Sequence, residues 1–77
     1  MSRTGEQNTG WMRPGDEAIL QFLDEADAEY PAIVANRTGI HTPYVERRCD
    51  VLAERGLLEQ VTGEVVYRIT DEGRRRI

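Results

Sequence analysis

The sequence predicts a mainly α domain with a small β-hairpin: three helices, two strands and a short terminal helix. Three observations predict it. Apolar residues recur at helical spacing between Ile19 and Leu52, proline and glycine punctuate that stretch where helices start and stop, and beyond Gly56 the apolar period shortens to two.

Residues 1–10, MSRTGEQNTG, carry no apolar pattern and are expected to form a flexible tail, with Trp11 and Met12 as the point where the chain docks. Helix one is expected over residues 14–26. Ile19, Phe22, Leu23 and Ala26 share a face, Pro14 suits a first-turn position, and Asp16 and Glu17 lie where the helix dipole favours negative charge. A short polar connection, Asp27 to Tyr30, leads to Pro31, which opens helix two. That helix buries Ile33, Val34 and Ala35 and ends near Arg37, where Gly39 takes the left-handed stop. Helix three is expected over residues 42–55, capped by Thr42 with Pro43 behind it, or else by His41. Val45, Cys49 and Leu52 form its apolar face, and Gly56 terminates it. Strands at 57–61 and 65–70 then flank a Thr62-Gly63-Glu64 turn, and Val65, Tyr67 and Ile69 alternate with Val66, Arg68 and Thr70, so one face can lie on the helices while the other meets solvent. Thr70-Asp71-Glu72 reads as the start of a last, short helix.

At 77 residues the chain has material for one core, so residues 11–77 are expected to form a single domain. Hydrophobic residues make up 39% and charged residues 31%, with a mean hydropathy of -0.59, which lies in the globular rather than the disordered range, and no apolar run approaches the ~20 residues of a membrane span. The start of the chain lacks the apolar run of a secretory signal and there is a single cysteine, so a cytoplasmic location is expected. All ten basic residues are arginine, against fourteen acids. Residues 1–36 hold two arginines and seven acids, a balance of -5, and residues 37–77 hold eight and seven, or +1, so the cations are concentrated downstream. An acidic, lysine-free surface fits a salt-loaded, halophilic cytoplasm, and it fits equally a GC-rich genome that favours arginine codons.

The chemistry is defined partly by what is missing. With one histidine, one cysteine and no glycine-rich phosphate loop, the sequence offers no metal cluster, no nucleophilic triad and no P-loop, and is read as non-catalytic, without metal or cofactor. No small-molecule ligand is evident. Cys49 on an apolar helix face behaves as a small hydrophobe rather than a redox switch.

Two helices joined by a tight glycine-containing turn make a helix-turn-helix, whose second helix presents its first residues to the major groove of DNA. Here those residues are His41, Thr42, Pro43, Tyr44, Val45, Glu46, Arg47 and Arg48. With Val45, Cys49 and Leu52 turned inward, Pro43 and Arg47 lie opposite, flanked by Tyr44 and Glu46. Arg47 has the donor geometry to read guanine, and Thr42 and Tyr44 can bond phosphates beside the N–H groups of the helix start. His41 either contacts phosphate or a base edge, or caps the helix. Arg48 lies nearer the core boundary and either contacts DNA, pairs with acids on the side of Asp16 or packs its stem.

Gly39-Ile40, Tyr44 to Arg48, Leu52-Ala53-Glu54-Arg55-Gly56-Leu57-Leu58-Glu59 and Val66-Tyr67-Arg68-Ile69-Thr70-Asp71-Glu72-Gly73 together resemble the winged helix-turn-helix domains of prokaryotic transcription regulators. The similarity is greatest to the small haloarchaeal phage-repressor-like winged-helix proteins, and extends distantly to MarR-type and PadR-type regulators. The resemblance covers about residues 11–77. It implies a recognition helix at 42–55, a wing at 61–66 around Gly63 that reaches the neighbouring minor groove or backbone, and a homodimer on a two-fold site. Two departures stand out. Glu64 occupies a wing tip where such wings usually carry Arg or Lys, leaving Arg68 on the second strand to serve instead. The long terminal helices through which MarR-type proteins dimerise are also missing, and Arg74, Arg75 and Arg76 are left either to touch phosphate or to face a dimer partner.

The function expected is therefore a sequence-specific, double-stranded-DNA-binding transcriptional regulator, most simply a repressor. The alternative is a winged-helix module that docks on a protein through its acidic first helix and wing, without contacting DNA.

Overall fold

A proline or a glycine stands at most boundaries of the fold, and a computed structural model that describes residues 10–61 and 63–77 shows how each is used. The expected tail at 1–10 lies, but for Gly10, outside the described residues, as does Thr62 of the expected hairpin turn. Helix α1 (Asp16–Ala26) follows Gly15 and starts with Asp16 and Glu17 in its first turn. Its Ile19, Leu20 and Leu23 are fully buried. Helix α2 (Pro31–Thr38) has its proline at the first position, where the missing N–H costs nothing, and buries Val34 and Ala35. Ile33 does not join them. It is 40% exposed, because an eight-residue helix has room for only one buried stripe.

The turn after α2 depends on Gly39, whose φ of 75° lies in the left-handed region. Its N–H, and that of Ile40, both donate to the carbonyl of Ala35, at 2.9 and 3.2 Å, which closes α2. Helix α3 (Thr42–Glu54) begins at once. Its cap residue is His41, in extended conformation, so the other expected position, Thr42, is already helical. Val45, Cys49 and Leu52 are buried as expected, and Arg48 is buried with them. The helix ends in a left-handed Gly56, across which the N–H of Leu57 reaches back to the Leu52 carbonyl at 2.9 Å.

The β part differs from expectation first in its strands: among the described residues the sheet has three. β2 (Leu58–Gln60) and β3 (Tyr67–Ile69) form the expected antiparallel pair, with Leu58 opposite Ile69 and Gln60 opposite Tyr67. β1 (Ala28–Glu29), part of the supposed polar connection, pairs with the other edge of β3, giving the order β1-β3-β2. Tyr67 and Ile69 are buried while Arg68 is exposed, as the alternation requires. Val65 breaks it: at 61% exposure it lies before β3 begins, where the loop has left the core. Helix α4 (Asp71–Arg75) is capped by Thr70, whose hydroxyl accepts from the Gly73 N–H at 3.0 Å and donates to the Gly56 carbonyl at 2.6 Å. Gly73 is buried so tightly that a Cβ would run into the Leu57 carbonyl and Ile69.

One apolar cluster holds these parts together. It takes Ile19, Leu20 and Leu23 from α1, Val34 and Ala35 from α2, Val45, Cys49 and Leu52 from α3, and Leu57, Leu58, Tyr67 and Ile69 from the hairpin. Burial of each large aliphatic side chain contributes about 1.5–3 kcal/mol, so the cluster is what fixes α3 against α2 and the sheet.

Candidate nucleic-acid interface

With Val45, Arg48, Cys49 and Leu52 turned into the core, 3.6 residues per turn leaves Pro43, Glu46, Arg47, Asp50 and Glu54 as the exposed stripe of α3. Neighbours flank it on both sides. On one side the segment before α1 packs along the helix: the Tyr44 hydroxyl donates to the Pro14 carbonyl at 2.7 Å, and the Arg55 guanidinium sits 4.6 Å from the centre of the Trp11 ring. On the other side an open cleft of about 300 Å³ separates α3 from the wing and the start of α2, with Glu46, Asp50, Tyr30 and Val65 among its walls. The Tyr67 hydroxyl crosses from β3 to Asp50 at 2.6 Å and ties the sheet to the helix. Burial, that hydrogen bond and the Asp50 charge all hold the Tyr67 phenol above its ordinary pKa.

The first turn of α3 is open. No side chain caps it, and Thr42 is half-buried while His41 and Pro43 are exposed beside the groove between α2 and α3. The first N–H groups of a helix have no partner within it, so this end can donate to an anion. The wing is drawn toward the same side. The Tyr30 hydroxyl donates to Glu64 Oε1 at 3.2 Å and Gln60 Nε2 donates to the Glu64 carbonyl at 3.2 Å, which holds the tip next to the start of α2. Gly63, with a φ of 79°, is exposed at that tip.

The arginines divide into two groups. Arg48 binds Asp16, Arg68 binds Glu59, Arg74 binds Asp24 and Asp71, and Arg75 and Arg76 face Glu72. Arg13 donates to main-chain carbonyls and Arg55 stacks on Trp11. Among the described arginines only the side chains of Arg37 and Arg47 make no hydrogen bond, ion pair or ring contact, and they lie on the two helices of the helix-turn-helix.

A family model described as winged helix-turn-helix phage repressor matches residues 6–77. The chain belongs to that family. It is 35% identical over 71 residues to the repressor protein of Halobacterium phage phiH, spanning 87% of this chain and 80% of the relative. Its fold is similar to the crystal structure of the PhiH1 repressor-like protein from Haloarcula marismortui, with a TM-score of 0.74 and 33% identity over 83% of this chain and 74% of the other. No described helix of this winged helix-turn-helix is long and apolar enough to cross a membrane.

Within the repressor-family fold, the candidate residues do not all converge. His41, Thr42, Pro43, Tyr44, Glu46 and Arg47 lie together on the open end of α3, and Gly63 stands exposed at the wing tip, two residues from Val65, which lines the cleft. Arg48 does not belong with them, because its guanidinium is turned into the protein and bound to Asp16. Arg68 does not either. Tyr67 points to α3, so strand alternation sends Arg68 to the opposite face, where it pairs with Glu59 at 2.7 Å beside Asp27 and Arg74. The three arginines from Arg74 to Arg76 likewise meet carboxylates of their own chain. Sequence reasoning missed Arg37. Nothing in its immediate neighbours marks it, and only the pairing of most other arginines makes it conspicuous.

Proposed function

We propose that this chain is a sequence-specific repressor of transcription that binds double-stranded DNA through residues 11–77, with α3 in the major groove. One observation carries the reading: Arg47 stands in the middle of the exposed stripe of the second helix-turn-helix helix with no partner inside the protein. An arginine so placed can give two hydrogen bonds to O6 and N7 of guanine, worth about 1–3 kcal/mol of discrimination. The N–H groups that open α3, with His41 and Thr42, hold the neighbouring phosphates, and Arg37 on α2 holds another, while Tyr44 braces the helix start through its bond to Pro14. Family membership supports the repressor role, which works most simply by covering a promoter in the cytoplasm. Two copies on a two-fold site double the contacts that so small a surface offers.

The test is binding to a fluorescent duplex taken from upstream of the coding sequence, with a scrambled duplex as competitor. Arg47→Ala should weaken binding to the upstream duplex by about ten-fold or more and leave binding to the scrambled duplex nearly unchanged. Equal loss on both would remove base readout from Arg47.

A second reading rests on the wing, which presents Glu64 and the exposed Val65 and no cation. As a protein-docking module, the chain would bind its partner through α1 and the wing, and Arg47→Ala would leave that complex intact while neutral residues at Asp24 and Glu25 weakened it.

A further inference from the structure

We propose that Glu46 and Arg47 act as a paired reader, Arg47 selecting guanine and Glu46 selecting cytosine at a neighbouring position of the same half-site. This rests on the reading of α3 as the helix that enters the major groove. Both residues are exposed on the second turn of α3, in the half of the helix that comes nearest the base edges. They do not neutralise each other, since consecutive helical residues point about 100° apart, and neither makes a hydrogen bond inside the protein.

The polar groups around them are already held. Asp50 accepts from Tyr67 at 2.6 Å, the Tyr44 hydroxyl donates to Pro14 at 2.7 Å, and Arg48 is bound to Asp16 at 2.8 Å. Glu46 and Arg47 are therefore the long charged side chains on this half of the helix that remain free to reach a ligand. Their chemistry then decides what they accept. A carboxylate only accepts hydrogen bonds, so it is repelled by the O6 and N7 of guanine, by the O4 of thymine and by phosphate. Cytosine is the base that offers the major groove a donor, its N4 amino group, without an acceptor beside it. An exposed glutamate next to the guanine-reading arginine excludes most base pairs and tolerates one.

The experiment is selection from a random duplex library with the full chain as wild type, Glu46→Gln and Arg47→Ala, each checked by its melting curve, followed by sequencing of the bound pool. The wild type should enrich a motif with a guanine and a cytosine in neighbouring columns. Glutamine suits the N6 and N7 of adenine, so Glu46→Gln should move the cytosine column to adenine, a change of about ten-fold in relative preference, and leave the guanine column alone. Arg47→Ala should flatten the guanine column. A motif that Glu46→Gln leaves unchanged would overturn the paired reader while keeping the DNA-binding reading. A wild type that enriches nothing at any salt concentration would overturn both.

Discussion

Arg48 on α3 and Asp16 at the first turn of α1 form a buried, two-pronged ion pair, with Nε to Oδ1 at 2.9 Å and Nη2 to Oδ2 at 2.8 Å. The carboxylate also accepts the Arg13 main-chain N–H at 2.9 Å, and Nη2 approaches the Trp11 carbonyl at 3.4 Å. Asp16 is wholly inaccessible and Arg48 only 9% exposed, so removing either partner strands a charge in a dry site. Asp16→Ala and Arg48→Ala should each cost about 3–5 kcal/mol by urea denaturation. The double variant should lose clearly less than the sum of the two. A strictly additive loss would mean that the pair does not act as a unit.

Stability should fall in alkali. Burial pushes the Cys49 thiol up to about 12 from an ordinary 9.0, and Tyr67 is raised as well. Above pH 9 the unfolded chain releases protons that the native protein keeps, so the native state binds more protons and stability declines as pH rises. The thiol's share is intact below pH 9 and is lost between there and about 12, at roughly 1 kcal/mol per pH unit. Urea titrations from pH 8 to about 10.5 should show this slope in the wild type and a shallower one in Cys49→Ala. The same slope in both proteins would exclude the thiol as its source.

Asp27 ends α1 with a φ of 77° and a ψ of -102°, a conformation that a residue with a Cβ adopts only at a cost. Glycine pays no such penalty but loses more freedom on folding. The balance should favour Asp27→Gly by about 0.5–2 kcal/mol, raising the melting temperature by several degrees. A lower melting temperature would show that the Asp27 side chain contributes more than its backbone costs.

Binding to duplex DNA should depend weakly on salt. The exposed stripe of α3 carries Glu46, Asp50 and Glu54 against one arginine, and among the described residues the guanidinium groups without a partner are those of Arg37 and Arg47. Two cations per protomer release few counterions, so for a pair of protomers the slope of log affinity against log salt should be no steeper than about -4. A fluorescence titration across a potassium chloride series measures it. A slope near -10 would mean that phosphate contacts beyond this surface dominate.

The helices were legible in the sequence because Pro31, Gly39 and Gly56 punctuate them and Ile19, Leu23, Val45, Cys49 and Leu52 repeat at helical spacing. Strand β1 was not. Two residues cannot show an alternation, and Ala28 and Glu29 are extended because β3 is there to receive them. Arg48 sits at the margin of the apolar face of α3, where a helical wheel cannot distinguish surface from interior. What settles its place is Asp16, thirty-two residues earlier. The open end of α3 could be read from Thr42, Pro43 and Arg47, since local spacing decides which residues share a face. The positions of Arg68 and of the arginines in α4 depend on carboxylates brought in by the fold, and no local pattern reports them.

The pairing of β1 with β3 also sets a schedule for synthesis of the protein. Ala28 waits for Arg68 and Glu29 for Tyr67, and the core lacks Tyr67 and Ile69 until both have been translated. A nascent chain carrying α1, α2 and the whole of α3 still lacks these two core side chains and the Tyr67 hydroxyl that ties the sheet to Asp50. A frameshift or early stop just before Tyr67 should yield not a weaker repressor-family protein but a substrate for proteolysis.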